Sequence, residues 1–130
     1  MAKPNPPRPT DAELEILRVL WQRGPSTVRE VHEILNRNRP NVYTTVLKLM
    51  QIMQHKGLLR RDESERAHVY QPSFSQEETQ RGLVGDLIDR AFGGSTTHLV
   101  MRALSTKRAS AEELAQIREL LDAYQDGGER

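Results

Sequence analysis

Between Asn41 and Arg61 the chain reads NVYTTVLKLMQIMQHKGLLRR, and this stretch holds the groups best suited to contact with a polyanion. From Ile34 through Arg61 there are six Lys/Arg and no Asp or Glu. The whole chain is nearly neutral, with a formal net charge of +1, so carboxylates are missing locally rather than overall. Such an asymmetry suits ion pairing to phosphates and hydrogen bonding to base edges, and DNA is the usual partner. At about 100° per residue, Tyr43, Val46, Leu47, Met50 and Met53 fall on one side of a helix as an apolar stripe. Thr44, Lys48, Gln51 and His55 cluster on the opposite side. A helix entering a major groove meets bases with its N-terminal residues. Here those are Asn41, Tyr43, Thr44 and Thr45, with Lys48 one turn further in and Gln51 beyond it. Taken alone, the same face is also what an ordinary solvated helix presents, so the flanking elements decide.

Those elements are legible from their boundary residues. Asn41 is the expected N-cap after Pro40, and Gly57 the expected stop, with His55 and Lys56 beside the last carbonyls. Thr10-Asp-Ala-Glu13 is a capping box, followed by the apolar stripe Leu14, Leu17 and Trp21 and ended by Gly24-Pro25. Thr27-Val-Arg-Glu30 is a second capping box, with Val28, Val31 and Leu35 at helical spacing. Three helices in this order, the last basic and outward-facing, make a helix-turn-helix. Leu58 to Arg61 and Ala67 to Gln71 read as two short strands around the polar turn Asp62 to Arg66. The hairpin is a wing that carries Arg60, Arg61 and Arg66 toward phosphates or a minor groove. Asp62, Glu63 and Glu65 argue against its tip reaching into the duplex.

The segments TDAELEILRVLW, TVREVHEIL, YTTVLKLM, KGLL and AHVYQP, in this order and spacing, resemble the penicillinase-repressor family. The match is strong over Pro9 to Pro72 and weaker over Ser75 to Tyr124. The resemblance implies a homodimeric transcriptional repressor on a palindromic operator, with an N-terminal winged helix and a C-terminal helical dimerisation region. Many members carry two basic residues where this chain has Gln51-Ile52. That weakens a phosphate clamp late in the helix and leaves Ile52 on the exposed side, either to pack on the wing or to meet a partner. The family also implies a membrane sensor protease that relieves repression by cutting an Asn–Phe bond. That bond aligns with Arg102–Ala103 here, so its specificity does not carry over. A copper-responsive branch uses a cysteine cluster, and this chain has no cysteine.

The expected fold class is mostly α with a small β-hairpin wing (α+β), divided as an arm over 1–9, a winged helix over 10–72, a helical dimerisation region over 73–126 and a tail over 127–130. The arm, MAKPNPPRP, has four prolines in nine residues and reads as extended and mobile, with Lys3 and Arg8 its cations. In the C-terminal region Ser75-Gln-Glu-Glu78 and Ser110-Ala-Glu-Glu113 are further capping boxes, and Gly93-Gly94 is a break. Leu83, Leu87 and Phe92, then Leu99, Val100 and Leu104 on a helix around Thr97 to Leu104, then Leu114, Ile117 and Leu121, lie at helical spacing. Helices this short bury little by themselves. Interlocking with a second copy under two-fold symmetry is the economical solution, and folding back on the winged helix is the alternative.

Composition sets the remaining limits. At 130 residues and 36% hydrophobic residues there is room for a DNA-binding domain and an extension, not a large enzyme core. Residues 1–70 hold 12 Lys/Arg against 8 Asp/Glu, and residues 71–130 hold 7 against 10. The basic half suits DNA and the acidic half should stay off it. No signal peptide or apolar span is present, so a cytoplasmic protein without membrane insertion is expected. His32, His55, His68 and His98 lack metal-ligand spacing, and no nucleophile or phosphate loop is recognisable, so no catalytic residue, cofactor or metal is expected. The competing function is a winged-helix adaptor that binds protein rather than specific DNA. The two differ in how DNA binding responds to salt.

Overall fold

In the computed structural model the described residues are 6–127, and they form six helices and three short strands. Two compact units, Met1–Asp86 and Leu87–Arg130, divide the chain within its fourth helix.

In the first unit, α1 (Asp11–Arg23) and α2 (Val28–Asn38) both begin with the capping boxes read from the sequence. Thr10 Oγ1 accepts from the Glu13 N–H and Thr27 Oγ1 from the Glu30 N–H, and each glutamate reaches back to its cap. Two N-terminal orphan donors are thereby satisfied at each helix. The third helix, α3 (Tyr43–Lys56), starts differently from expectation. Val42 stands at its N-cap in extended conformation and no side chain caps that end. Asn41, expected as the cap, is turned back onto α2. Its amide donates to the carbonyls of Leu35 and Arg39, and its N–H donates to Asn36 Oδ1 at 2.7 Å. It thereby closes the preceding helix, satisfying carbonyls of its last turn and its C-cap.

Gly57 ends α3 in the left-handed region at φ 87°, where any other residue would be strained. The chain then enters β2 (Leu59–Asp62) and returns in β3 (Val69–Pro72). A third strand not evident in the sequence, β1 (Ser26–Thr27), pairs with the outer side of β3, giving an antiparallel sheet of order β1-β3-β2. Ser26 lies opposite Tyr70, and Tyr70 opposite Arg61. The hairpin strands are later by one or two residues than expected, so Ala67 and His68 belong to the exposed turn.

The core joins Ile16, Leu17, Val19 and Leu20 of α1, Val28 and Val31 of α2, Val46, Met50 and Met53 of α3, and Leu58, Leu59 and Tyr70 of the wing. Tyr43, placed in the apolar stripe by periodicity, is instead 40% exposed. It is the first helical residue, and Val46, Met50 and Met53 fill the core beneath it. Residues 6–9 run along this unit, with Pro9 buried and Arg8 paired to Asp86 at 2.7 Å. Lys3 and the rest of the expected arm, like the tail from residue 128, lie outside the described residues.

The chain continues through α4 (Gln76–Ala91), capped by Ser75 and Glu78. Beyond the division come α5 (Thr96–Thr106) and α6 (Ala111–Asp126), capped by Ser95 and by the Ser110–Glu113 box. Gly93 and Gly94, both at positive φ, form the break after α4. Within this second unit none of the described residues is fully buried. Among the described residues no helix is long and apolar enough to cross a membrane.

Candidate nucleic-acid interface

The outer face of α3 carries Thr44, Thr45, Lys48, Gln51, Ile52 and His55, all exposed. Its orientation is fixed at both ends. At the start, His32 Nε2 donates to the Asn41 carbonyl at 2.7 Å, and its ring meets Tyr43 edge-on at a centroid distance of 5.6 Å. At the end, Lys56 Nζ donates to both oxygens of Glu13 at 2.9 Å each. Glu13 is 2% exposed. Burial pushes its carboxyl up, but the Lys56 ammonium, the Thr10 N–H and the adjacent charge together hold it below the ordinary value. Lys56, one of the six cations counted in the acid-free segment, therefore anchors the helix to α1.

The same sorting applies to the other cations of this unit. Arg23 pairs with Glu30, Arg39 with Glu15 and Arg61 with Glu63. Arg61 also donates to Tyr70, and both acceptors raise its pKa. Arg61, expected as a DNA contact, is thus half-buried and committed to the wing itself. Lys48, Arg60 and Arg66 are exposed with no ion pair among the described residues, as are Arg18 of α1 and Arg37 of α2. Arg29, which sequence reasoning passed over, joins them. It lies in the first turn of α2, and the neighbouring Glu30 is held by Arg23 and by the Thr27 N–H. The available signal was its place beside the N-cap of the second helix of a helix-turn-helix.

Two depressions flank α3. On the wing side, Arg29, Tyr43, Leu47, Gln51, Arg66 and His68 line one surface. On the other side, Thr44, Thr45, Lys48, Leu49 and Ile52 line a second. Of the expected contacts, Tyr43, Gln51 and Arg66 meet in the first, and Thr44, Thr45 and Lys48 in the second. Asn41 lies behind the start of the helix, and Arg60 on the exposed side of β2. The uncapped first turn of α3 has no acid in it, which leaves a helix N-terminus open to an anion. Among the described residues no cluster of three or more His, Asp or Glu side chains could hold a metal ion.

The residues expected at a dimer interface fall into two groups. Leu83, Phe92, Leu99, Leu114 and Ile117 are half-buried, while Leu87, Val100, Leu104 and Leu121 are exposed. Val84, Met101, Leu120 and Tyr124 add to the exposed group.

Comparison with known proteins agrees with this geometry. The family model described as "Penicillinase repressor" matches residues 9–123. The chain is 31% identical over 118 residues to the transcriptional regulator BlaI of Mycobacterium tuberculosis, spanning 90% of this chain and 85% of that one. It is 22% identical over 120 residues to the penicillinase repressor of Bacillus licheniformis, spanning 92% and 94%. Among solved structures, the DNA-binding domain of the repressor BlaI superposes on 59% of this chain and 93% of its own, with TM-score 0.50 and 26% identity. The transcriptional regulator Tm0710 of Thermotoga maritima shares the fold over 91% of this chain and 78% of its own, with TM-score 0.51 and 20% identity. The chain belongs to the penicillinase-repressor family of winged-helix, DNA-binding transcriptional repressors.

Proposed function

We propose that this repressor acts in the cytoplasm as a homodimer on an inverted-repeat operator, placing one α3 in the major groove of each half-site. Tyr43, Thr44, Thr45, Lys48 and Gln51 meet base edges and the nearest phosphates. Arg60 and Arg66 of the wing, with Arg29 of α2, hold the backbone on either side. Asn41 and Arg61 act indirectly, by fixing the start of α3 and the shape of the wing. The observation that carries this reading is the sorting of cations. Carboxylates neutralise Arg23, Arg39, Lys56 and Arg61, whereas Lys48 on the outer face of α3, and Arg29 and Arg66 in the depression beside it, have no ion pair among the described residues. Arg18 and Arg37 are likewise unpaired among the described residues but lie outside both depressions. The uncapped N-terminus of α3 adds a further donor site for a phosphate.

Self-association is supported by the second unit, where Leu87, Val100, Leu104, Leu120, Leu121 and Tyr124 are all exposed. Such side chains, on helices that bury none of their own residues fully, suit pairing with a second copy. Two-fold symmetry is the default for such pairing, and it matches half-sites one helical turn or a multiple apart. Relief of repression by a membrane sensor protease is a partner relation that the family resemblance alone suggests.

The test is binding-site selection from a randomised duplex library. It is followed by titration of the selected duplex and a shuffled one at about 150 mM salt. Nanomolar, sequence-dependent binding with two chains per duplex is expected. Equal weak binding to both duplexes that fades with salt would favour the adaptor reading, with the second unit as the partner surface.

A further inference from the structure

Ile52 is 42% exposed on a helix face that is otherwise polar. The wing does not use it, because the residues of α3 turned toward Arg66 and His68 are Tyr43, Leu47 and Gln51. Ile52 lies on the other flank, in the depression it shares with Thr44, Thr45, Lys48 and Leu49. The two threonine methyl groups, the methylene stem of Lys48 and the two aliphatic side chains make that surface apolar. Its charge is the Lys48 ammonium, and no carboxylate occurs anywhere from Ile34 to Arg61. An apolar recess edged by a cation, continuous with the residues proposed to meet base edges, fits an apolar group carried on a polyanion. At major-groove base edges that group is the C5 methyl of thymine.

We infer that Ile52 is a specificity residue that selects a thymine in each operator half-site through contact with the C5 methyl. This rests on the repressor reading above and names a determinant within it. Ile52 lies one helical turn beyond Lys48, a rise of about 6 Å. The selected thymine is therefore a neighbour of the pair met by Lys48, not that pair itself.

The experiment uses the full chain and the duplex that the unaltered protein selects from a randomised library. Each thymine is replaced in turn by deoxyuridine, which lacks only the methyl group, and binding is followed by fluorescence anisotropy. For the unaltered protein, one replacement per half-site should weaken binding about fourfold for each half-site, the equivalent of one buried methyl. Ile52→Ala should weaken binding to the thymine duplex by a similar factor and be indifferent to that one replacement. Ile52→Val, which keeps the branch at Cβ, should retain the discrimination. An unchanged urea midpoint for Ile52→Ala is expected for a surface position and establishes that the fold is intact. Indifference of the unaltered protein to deoxyuridine at every position would overturn the inference. So would an Ile52→Ala protein as sensitive as the unaltered one at every thymine. In both cases specific binding persists and the repressor reading stands. If the unaltered protein enriches no sequence at all, the repressor reading itself falls, and the inference with it.

Discussion

Lys48 and Lys56 lie two turns apart on α3, and their surroundings give them opposite roles. Lys56 reaches back to Glu13, a carboxylate with almost no access to water, while Lys48 stands on the outer face with no ion pair among the described residues. Replacing Lys48 by alanine should weaken operator binding by roughly 1–3 kcal/mol per half-site if it meets a base, with relaxed preference at that position. If it meets only phosphate, the loss should be similar on every duplex and the salt slope should fall by about one for each phosphate released. Comparing the selected and shuffled duplexes decides between the two. Glu13→Gln tests the anchor. The folded carboxyl titrates below its ordinary value of 4.5, so its stabilisation is complete above that value and is lost as the pH falls through the folded pKa. The variant should lose about 1–3 kcal/mol of unfolding free energy at pH 7, less than a fully buried pair because Lys56 is partly solvated. Its stability should also fall less between about pH 5 and pH 3 than that of the unaltered chain. Urea titrations across that range measure both, and identical acid limbs would remove Glu13 from the account. The sequence carried both residues in plain view, yet Glu13 read only as half of a capping box. Its second role depends on a contact across 43 residues, which no local pattern encodes.

At the scale of elements, signals written within four or five residues were legible, and those that depend on neighbours were not. The capping boxes at Thr10, Thr27, Ser75 and Ser110 all form as read, because the hydroxyl and the glutamate need only one turn of helix. Gly57 stops α3 as expected, because its left-handed conformation is a local requirement. Strand β1 escaped notice because two residues carry no alternation, and it exists only through its pairing with β3. Asn41 misled for a related reason. An asparagine after a proline can cap the helix that follows or close the one before, and the position of α2 settles the choice. The wing gives the clearest prediction at this scale. Arg60 and Arg66 have no ion pair among the described residues, and Arg61 is tied to Glu63 and Tyr70. Arg60→Ala with Arg66→Ala should therefore reduce the salt dependence of binding by about 0.9 for each phosphate no longer neutralised, roughly four across a dimer. Sequence preference should change little. Arg61→Ala should instead act through the wing, lowering stability before it alters the salt slope. If Arg61→Ala alone flattens the slope while the double variant leaves it intact, the sorting of wing cations is wrong.

The division of the whole molecule into two units is a division of burial rather than of charge. The first unit, with 13 Lys/Arg against 11 Asp/Glu over residues 1–86, holds a complete core, whereas the second, with 6 against 7 over residues 87–130, consists of helices without one. Periodicity located the apolar positions of α4, α5 and α6, but could not say which of them a single chain would cover. Phe92, Leu99, Leu114 and Ile117 are half-covered within one copy, and Val100, Leu104 and Leu121 are left exposed. If those exposed residues hold two copies together, affinity for an inverted repeat arises largely from tethering. The second α3 then binds at the high effective concentration that the first imposes, which commonly raises affinity by about 10²–10⁴ without any new contact to DNA. Leu104→Asp with Leu121→Asp places charges where apolar contact is proposed and touches no residue of the first unit's core. Sedimentation should find the variant monomeric at concentrations where the unaltered chain is a dimer. Its affinity for the full inverted repeat should fall by about 10²-fold or more, while its affinity for an isolated half-site stays the same. The half-site measurement separates loss of pairing from damage to α3. A variant that remains dimeric, or a monomer that binds the inverted repeat as tightly as before, would place the self-contact elsewhere and sever it from operator recognition.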